Sequence, residues 1–106
     1  MSKKIYCIAQ FTPKNGKFDE LFTRLKALEP ETLREDGCIS YTVTKHIPNQ
    51  FATGKSMPLV FNECWSSVEA FEEHCQKAYI VEFFENECLD ENGLVKSYNV
   101  TVYSDE

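Results

Sequence analysis

Residues 59–75 read Leu59-Val60-Phe61-Asn62-Glu63-Cys64-Trp65-Ser66-Ser67-Val68-Glu69-Ala70-Phe71-Glu72-Glu73-His74-Cys75, and the change of period within them decides the fold. Up to Trp65 the period is two: Leu59, Phe61, Glu63 and Trp65 project to one side of a strand, Val60, Asn62 and Cys64 to the other. Ser66 or Ser67 then caps a helix, with Glu69 and Glu72 in its first turns, where the helix dipole favours anions. Val68, Phe71 and Cys75 are expected to form the buried stripe of that helix.

Upstream, residues 38–47 alternate Ile39, Tyr41 and Val43 against Ser40, Thr42 and Thr44, a half-buried strand closed by Pro48. Residues 49–57 are mostly polar, contain Gly54 and lie between Pro48 and Pro58, which predicts a mobile connection forming a lip over a cavity. Residues 4–11 form the first strand, with Ile5, Cys7, Ala9 and Phe11 on one face. Phe18, Leu21, Phe22, Leu25 and Leu28 then follow at helical spacing; Pro30 kinks this helix or restarts it as a short segment through Leu33, and Gly37 stops it. Downstream, Ile80, Phe83, Phe84 and Cys88 mark a second helical run that Asn92-Gly93 ends. Residues 94–103 are the last strand, with Leu94, Tyr98, Val100 and Val102 sharing a face.

The order is β-α-β-β-α-β, an α+β ferredoxin-like sandwich with an extra helical segment in the second crossover. Right-handed crossovers put both helices on one face of one antiparallel sheet. The other face also carries aromatic and β-branched residues, so a homodimer packed through this open sheet face is expected. The 106 residues fit one domain, 1–106.

Composition narrows the function classes. Hydrophobic residues make up 42% of the chain and aromatic ones 13%, enough for a core. The net charge is −6 with scattered basic residues, so nucleic acid is not an expected partner. No window approaches the roughly 20 apolar residues of a membrane span, and the opening Met1-Ser2-Lys3-Lys4 lacks the apolar core of a signal peptide. A cytoplasmic protein is expected. Five cysteines, Cys7, Cys38, Cys64, Cys75 and Cys88, are an odd number without CxxC spacing, and reduced, mostly buried thiols are expected.

Three motif matches lack their structural context. Gly54-Lys55-Ser56 mimics the end of a P-loop, but Asn49 stands at the required glycine and Met57-Pro58 leads into a strand. Asn99-Val100-Thr101 has the pattern of a glycosylation acceptor but lies in a strand of a cytosolic protein. Glu63, Cys64, His74 and Cys75 do not make a metal set, because adjacent strand residues point to opposite faces.

Glu35-Asp36-Gly37-Cys38-Ile39-Ser40-Tyr41, then Asn62-Glu63-Cys64-Trp65-Ser66-Ser67, then Ala70-Phe71-Glu72-Glu73-His74 form an ordered set that resembles the antibiotic-biosynthesis-monooxygenase family over nearly the whole chain. The resemblance implies a dimeric α/β barrel and, in enzymatic members, oxidation of quinols or polycyclic phenols by dioxygen without metal or flavin. Triplet dioxygen reacts slowly with closed-shell organics, but an electron-rich phenolate passes it one electron, so the protein need only deprotonate and orient the substrate in a dry pocket. His74, Glu63 and Asn62 are the candidate catalytic groups, and Trp65, Tyr41, Phe83 and Phe84 the candidate substrate wall. No cofactor is expected for a cofactor-independent monooxygenase or quinol oxidase of a small aromatic or quinone-like compound. The alternatives are a non-oxidative isomerase on the same scaffold, or a non-catalytic small-molecule-binding or stress-linked dimer. In plainer readings, His74 ties its helix to a neighbour and Trp65 and Tyr41 are core. Heme-degrading relatives resemble this chain in Trp65 and His74 but use an asparagine in the first strand. That position falls at or near Ala9, and residues 4–11 contain no asparagine, which disfavours heme degradation.

Overall fold

The computed structural model describes residues 3–106. Strand β1 is Ile5–Pro13, followed by helices α1, Phe18–Lys26, and α2, Glu29–Thr32. Strands β2, Cys38–Lys45, and β3, Leu59–Trp65, come next. Helix α3 is Val68–Cys75, and α4, Ala78–Phe83, runs on as a π-helical turn, Phe84–Leu89, before strand β4, Val95–Ser104. The sheet order is β2-β3-β1-β4 with every pair antiparallel, the α+β ferredoxin-like arrangement.

Alternation sorts the sheet into two faces. Ile5, Cys7, Ala9 and Phe11 of β1 and Leu59, Phe61, Glu63 and Trp65 of β3 are all buried against the helix layer. Leu21 and Leu25 of α1, Leu28 beyond it, and Ile80 and Phe83 of α4 complete the core. Burying each such side chain contributes ~1.5–3 kcal/mol. Phe11 is a hub, meeting Phe83 edge-on at 5.7 Å and Phe61 edge-on at 6.5 Å. Helix α1 carries Asp19 and Glu20 in its first turn and Arg24 and Lys26 in its last, matching its dipole. Pro30 sits in the first turn of α2, where its missing N–H costs no helical bond, so the proline restarts the helix.

Three details differ from the expected pattern. Ile39 is not in the core face of β2: Cys38 pairs with Trp65 and Ser40 with Cys64, so Ile39 is the extra residue of a bulge and is half exposed. In α3 the buried residue is His74, with Ala70 and Phe71 half-buried, whereas Val68 and Cys75 are exposed; of the cysteines only Cys7 is fully buried. His74 is buried because its ring packs 4.7 Å from that of Trp65 and 5.4 Å from that of Tyr41. The end of the 49–57 connection is tied to the open face of the sheet, and none of its residues lines the space between sheet and helices. Ser56 Oγ and Met57 N donate to Gln10 Oε1, each at 3.1 Å, and Gln10 belongs to the open face.

The turn before β2 approaches α3 closely. Gly37 has φ +84°, its carbonyl accepts from Ser66 N at 2.8 Å, and a Cβ there would lie 2.5 Å from Ala70 Cβ and 2.7 Å from Ser66 Oγ. Gly16 has a similar φ, +77°, but open space around it. Gly16→Ala should therefore cost only the ~1–2 kcal/mol of a left-handed backbone, and Gly37→Ala clearly more. Urea unfolding of both variants checks this; equal losses would show that the Gly37 contact is not constraining.

Candidate functional site

The antiparallel registers set Cys7 of β1 and Tyr41 of β2 on either side of Glu63 in β3. Directly opposed residues lie about 5 Å apart on a shared face, so these three make a row across the inner sheet. Above it, between the sheet and the helices, is a cavity of about 400 Å³. The sheet contributes Cys7, Ala9, Phe11, Tyr41, Glu63 and Val100; the helices contribute Phe71, His74, Ile80, Phe83 and Phe84. A mainly apolar space of this size with few polar groups suits a small organic molecule.

Glu63 is 7% exposed. Its Oε1 accepts from Trp65 Nε1 at 3.0 Å. Burial pushes its carboxyl up to about 7; the bonds from Trp65 and Cys7 oppose the rise and the Glu35 charge adds to it. Near neutral pH it therefore exists in both forms. Desolvation pushes Cys7 far above the usual thiol range, with Glu63 adding to the shift, so its sulfur stays protonated.

His74 comes from α3, whose N-cap Ser67 accepts from Ala70 N at 3.0 Å. Its Nδ1 lies 3.2 and 3.1 Å from the two carboxylate oxygens of Glu35. Burial lowers the imidazolium pKa below the usual 6.5, and Glu35 works against that. The contact at neutral pH is therefore a hydrogen bond from a neutral ring, Nδ1–H donating to the carboxylate, rather than an ion pair. Among the described residues Nε2 has no hydrogen-bond partner and no fully buried side-chain nitrogen or oxygen lacks one, so Nε2 is not sealed in the core, and the ring it belongs to lines the cavity. Glu35 Oε2 also accepts from the Tyr79 hydroxyl, which lies 2.9 Å from Thr32 Oγ1.

Of the residues singled out from sequence, the fold gathers Glu63, His74, Tyr41, Phe83 and Phe84 around the cavity. Two it places elsewhere. Asn62 projects from the opposite face of β3 and donates to Thr44 Oγ1 at 3.1 Å, as the period of two requires of a neighbour of Glu63. Trp65 is fully buried behind Glu63 and His74; it supports them and is not a wall of the cavity. Glu35, Thr32, Tyr79 and Cys7 were not foreseen as site residues. Glu35 stood in the quoted run before β2, but its partner His74 lies 39 residues away, beyond the reach of any local pattern. Ala9 offers the cavity only a methyl group. Among the described residues no three His, Cys, Asp or Glu side chains are grouped as a metal ion would require, and no helix is long and apolar enough to cross a membrane.

A family model described as antibiotic biosynthesis monooxygenase matches residues 4–86. No curated protein sequence matches the chain significantly. Among solved structures, a protein of Shewanella oneidensis is 32% identical over 98% of this chain and 92% of its own, with a TM-score of 0.78. A conserved protein of Methanosarcina mazei is 27% identical over 94% and 90%, with a TM-score of 0.74. A dabb family protein of Mesorhizobium loti with a ferredoxin-like fold has a TM-score of 0.70 over 95% of each chain at 14% identity, a likeness of fold alone. The family model spans most of the elements that build the cavity, Glu35, Glu63 and His74 included, and the chain belongs to the antibiotic biosynthesis monooxygenase family.

Proposed function

We propose that this protein is a cofactor-independent monooxygenase or quinol oxidase that binds a small aromatic or quinone-like compound in the cavity and oxidises it with dioxygen. The observation that carries the reading is the convergence of a neutral, buried His74 and a buried Glu63 titrating near neutrality on one apolar space. Family membership supports the same class of reaction.

In this reading Nε2 of His74 accepts the substrate's hydroxyl proton, and the apolar walls hold the phenolate away from water. The phenolate passes one electron to dioxygen, and the resulting radical and superoxide combine into a carbon-bound peroxide. Protonated Glu63 supplies a proton to the distal oxygen; the C–H bond at the peroxide carbon then breaks, its electron pair forming the new carbonyl as the O–O bond breaks. The departing hydroxide takes that ring proton to become water, and the proton held by His74 returns to Glu63, so that phenol plus dioxygen becomes quinone plus water. A quinol would instead yield quinone plus hydrogen peroxide. Tyr41, Phe83 and Phe84 supply aromatic surface. The same acid–base pair could move a proton within a substrate, the isomerase reading, which turnover without oxygen would distinguish.

A homodimer through the open sheet face belongs to this proposal. That face carries Tyr6, Ile8, Val60, Cys64 and Tyr103, with Tyr103 55% exposed. The five unpaired thiols fit a reducing, cytoplasmic setting. Light scattering at low micromolar concentration should give twice the chain mass, and Val60→Lys should give the single-chain mass. A monomeric parent would remove the dimer.

Oxygen uptake with a panel of quinols and phenols tests the chemistry. His74→Ala should lower kcat by roughly 10²–10⁴ with the dimer intact. The parent's rate should rise with pH as His74 loses its proton below the ordinary 6.5, then fall as Glu63 ionises near about 7. No uptake by the parent with any of the panel, or unchanged uptake by His74→Ala, would defeat the mechanism.

Glu63 can also be tested without substrate. Its folded pKa, about 7, lies above the unfolded value near 4.5, so the stability linked to its proton is fully present below 4.5 and lost as pH rises through 7. Glu63→Gln has no such proton to lose. Its stability relative to the parent should therefore improve from pH 4.5 to pH 8, by up to about 3 kcal/mol. Parallel pH dependence of the two would show that Glu63 is not raised.

A further inference from the structure

We propose that Glu35 is the positioning residue of the cavity: its carboxylate holds the His74 ring with Nδ1 protonated, so that Nε2 turns its lone pair to the cavity, and it stabilises the imidazolium formed when Nε2 takes a proton. The proposal rests on the reading of His74 as a base and adds a group that never touches the substrate.

The geometry goes beyond a simple tether between a helix and a turn. Both carboxylate oxygens lie within 3.2 Å of Nδ1, which leaves Nε2 as the ring nitrogen without a partner among the described residues. The two side chains are nearly buried, 5% exposed for His74 and 8% for Glu35. Glu35 is itself held: Tyr79 donates to Oε2, and fully buried Thr32 donates to the Tyr79 oxygen, so the donors of this group run toward the carboxylate. The backbone bond from Ser66 N to Gly37 O ties the turn carrying Glu35 to the head of α3, and the dyad is thus carried on elements locked to each other. A carboxylate accepts only, which leaves one tautomer for a neutral ring. When the ring becomes positive, the adjacent negative charge acts through an interior less polarisable than water.

The other groups around His74 do not substitute for Glu35. Lys77, just beyond α3, opposes the imidazolium. Glu63 of β3 faces the same cavity, and Tyr41 of β2, Tyr79 of α4 and the adjacent Cys75 all have pKa values raised by burial, which keeps them neutral. Among the described residues Glu35 alone is hydrogen-bonded to a ring nitrogen.

The chain has two histidines, so ring 15N–1H correlation spectra of the labelled full-length protein resolve the question, with exposed His46 as internal control. At pH 8 the parent should show His74 protonated at Nδ1 and bare at Nε2. Glu35→Gln should lower the His74 titration midpoint by about 1–2 pH units, leaving His46 unmoved. Tyr79→Phe removes a donor from Glu35, makes the carboxylate a stronger acceptor, and should shift His74 in the opposite direction. A purely structural tether would not produce shifts of opposite sign. Should Glu35→Gln lose the parent's amide spectrum, the Tyr79→Phe shift decides alone. A parent ring protonated at Nε2, or a His74 midpoint unmoved in the folded variants, overturns the proposal. Oxygen uptake separates the two levels: a parent that oxidises nothing removes the proposed reaction but leaves the titration result standing. If the parent turns over, Glu35→Gln should lower kcat with KM nearly unchanged and displace the acidic limb of the rate profile by the same amount as the midpoint.

Discussion

A carboxyl group sealed in an apolar layer must be neutralised, hydrogen-bonded or both, and the bond from Trp65 Nε1 to Glu63 Oε1 at 3.0 Å answers that constraint here. Both residues lie on the inner face of β3 because they are two positions apart in a strand. The indole is fully buried and has no other polar partner among the described residues, so donor and acceptor satisfy each other. The bonds from Trp65 and Cys7 are not enough to keep the carboxyl in its usual range, and desolvation raises Glu63 to about 7. The same indole then serves as the surface against which His74 packs.

A second polar cluster is built from the other side. The turn before β2 is pressed against the first turns of α3, and only a glycine fits at position 37, where a Cβ would meet Ala70 and Ser66. That proximity brings Glu35 under His74. Two acidic side chains thus reach one small region along separate routes, Glu63 from the strand and Glu35 from the turn. Their surroundings divide their work. Glu63 faces the cavity with little but an indole and a thiol beside it, while Glu35 is surrounded by donors from His74 and Tyr79.

The cavity lies on the helix side of β1 and β3, where α3 and α4 supply His74, Phe71, Ile80 and Phe83 as its far wall. Toward β4 the helix layer thins: Tyr98, Val100 and Val102 share the inner face with Phe11, Ala9 and Cys7 but are each more than two-fifths exposed. Val100 is therefore part of the cavity lining rather than of the core. The opposite face of the sheet, with Asn62 bonded to Thr44 and Ser56 and Met57 bonded to Gln10, is separated from the cavity by the thickness of the sheet.

The sequence by itself determined the element order, the inner faces of β1 and β3, an interruption of the helix at Pro30 and the inward projection of Glu63, because strand and helix periods and proline geometry act over a few residues; the structure showed that the interruption is a restart. Alternation also separated Asn62 from Glu63, although the chemistry of an amide had made it a candidate. The bulge at Ile39 escaped notice because one inserted residue in β2 is defined only by its pairing with β3. The burial of His74 in place of Val68 and Cys75 was equally hidden, since it depends on which side of α3 meets Trp65 and Tyr41. Only the tertiary structure decided that Trp65 stands behind the cavity instead of lining it, and that Glu35 meets His74. Both follow from long-range packing, which joins residues tens of positions apart through the sheet register and the Gly37 contact, and no spacing along the chain encodes such a distance.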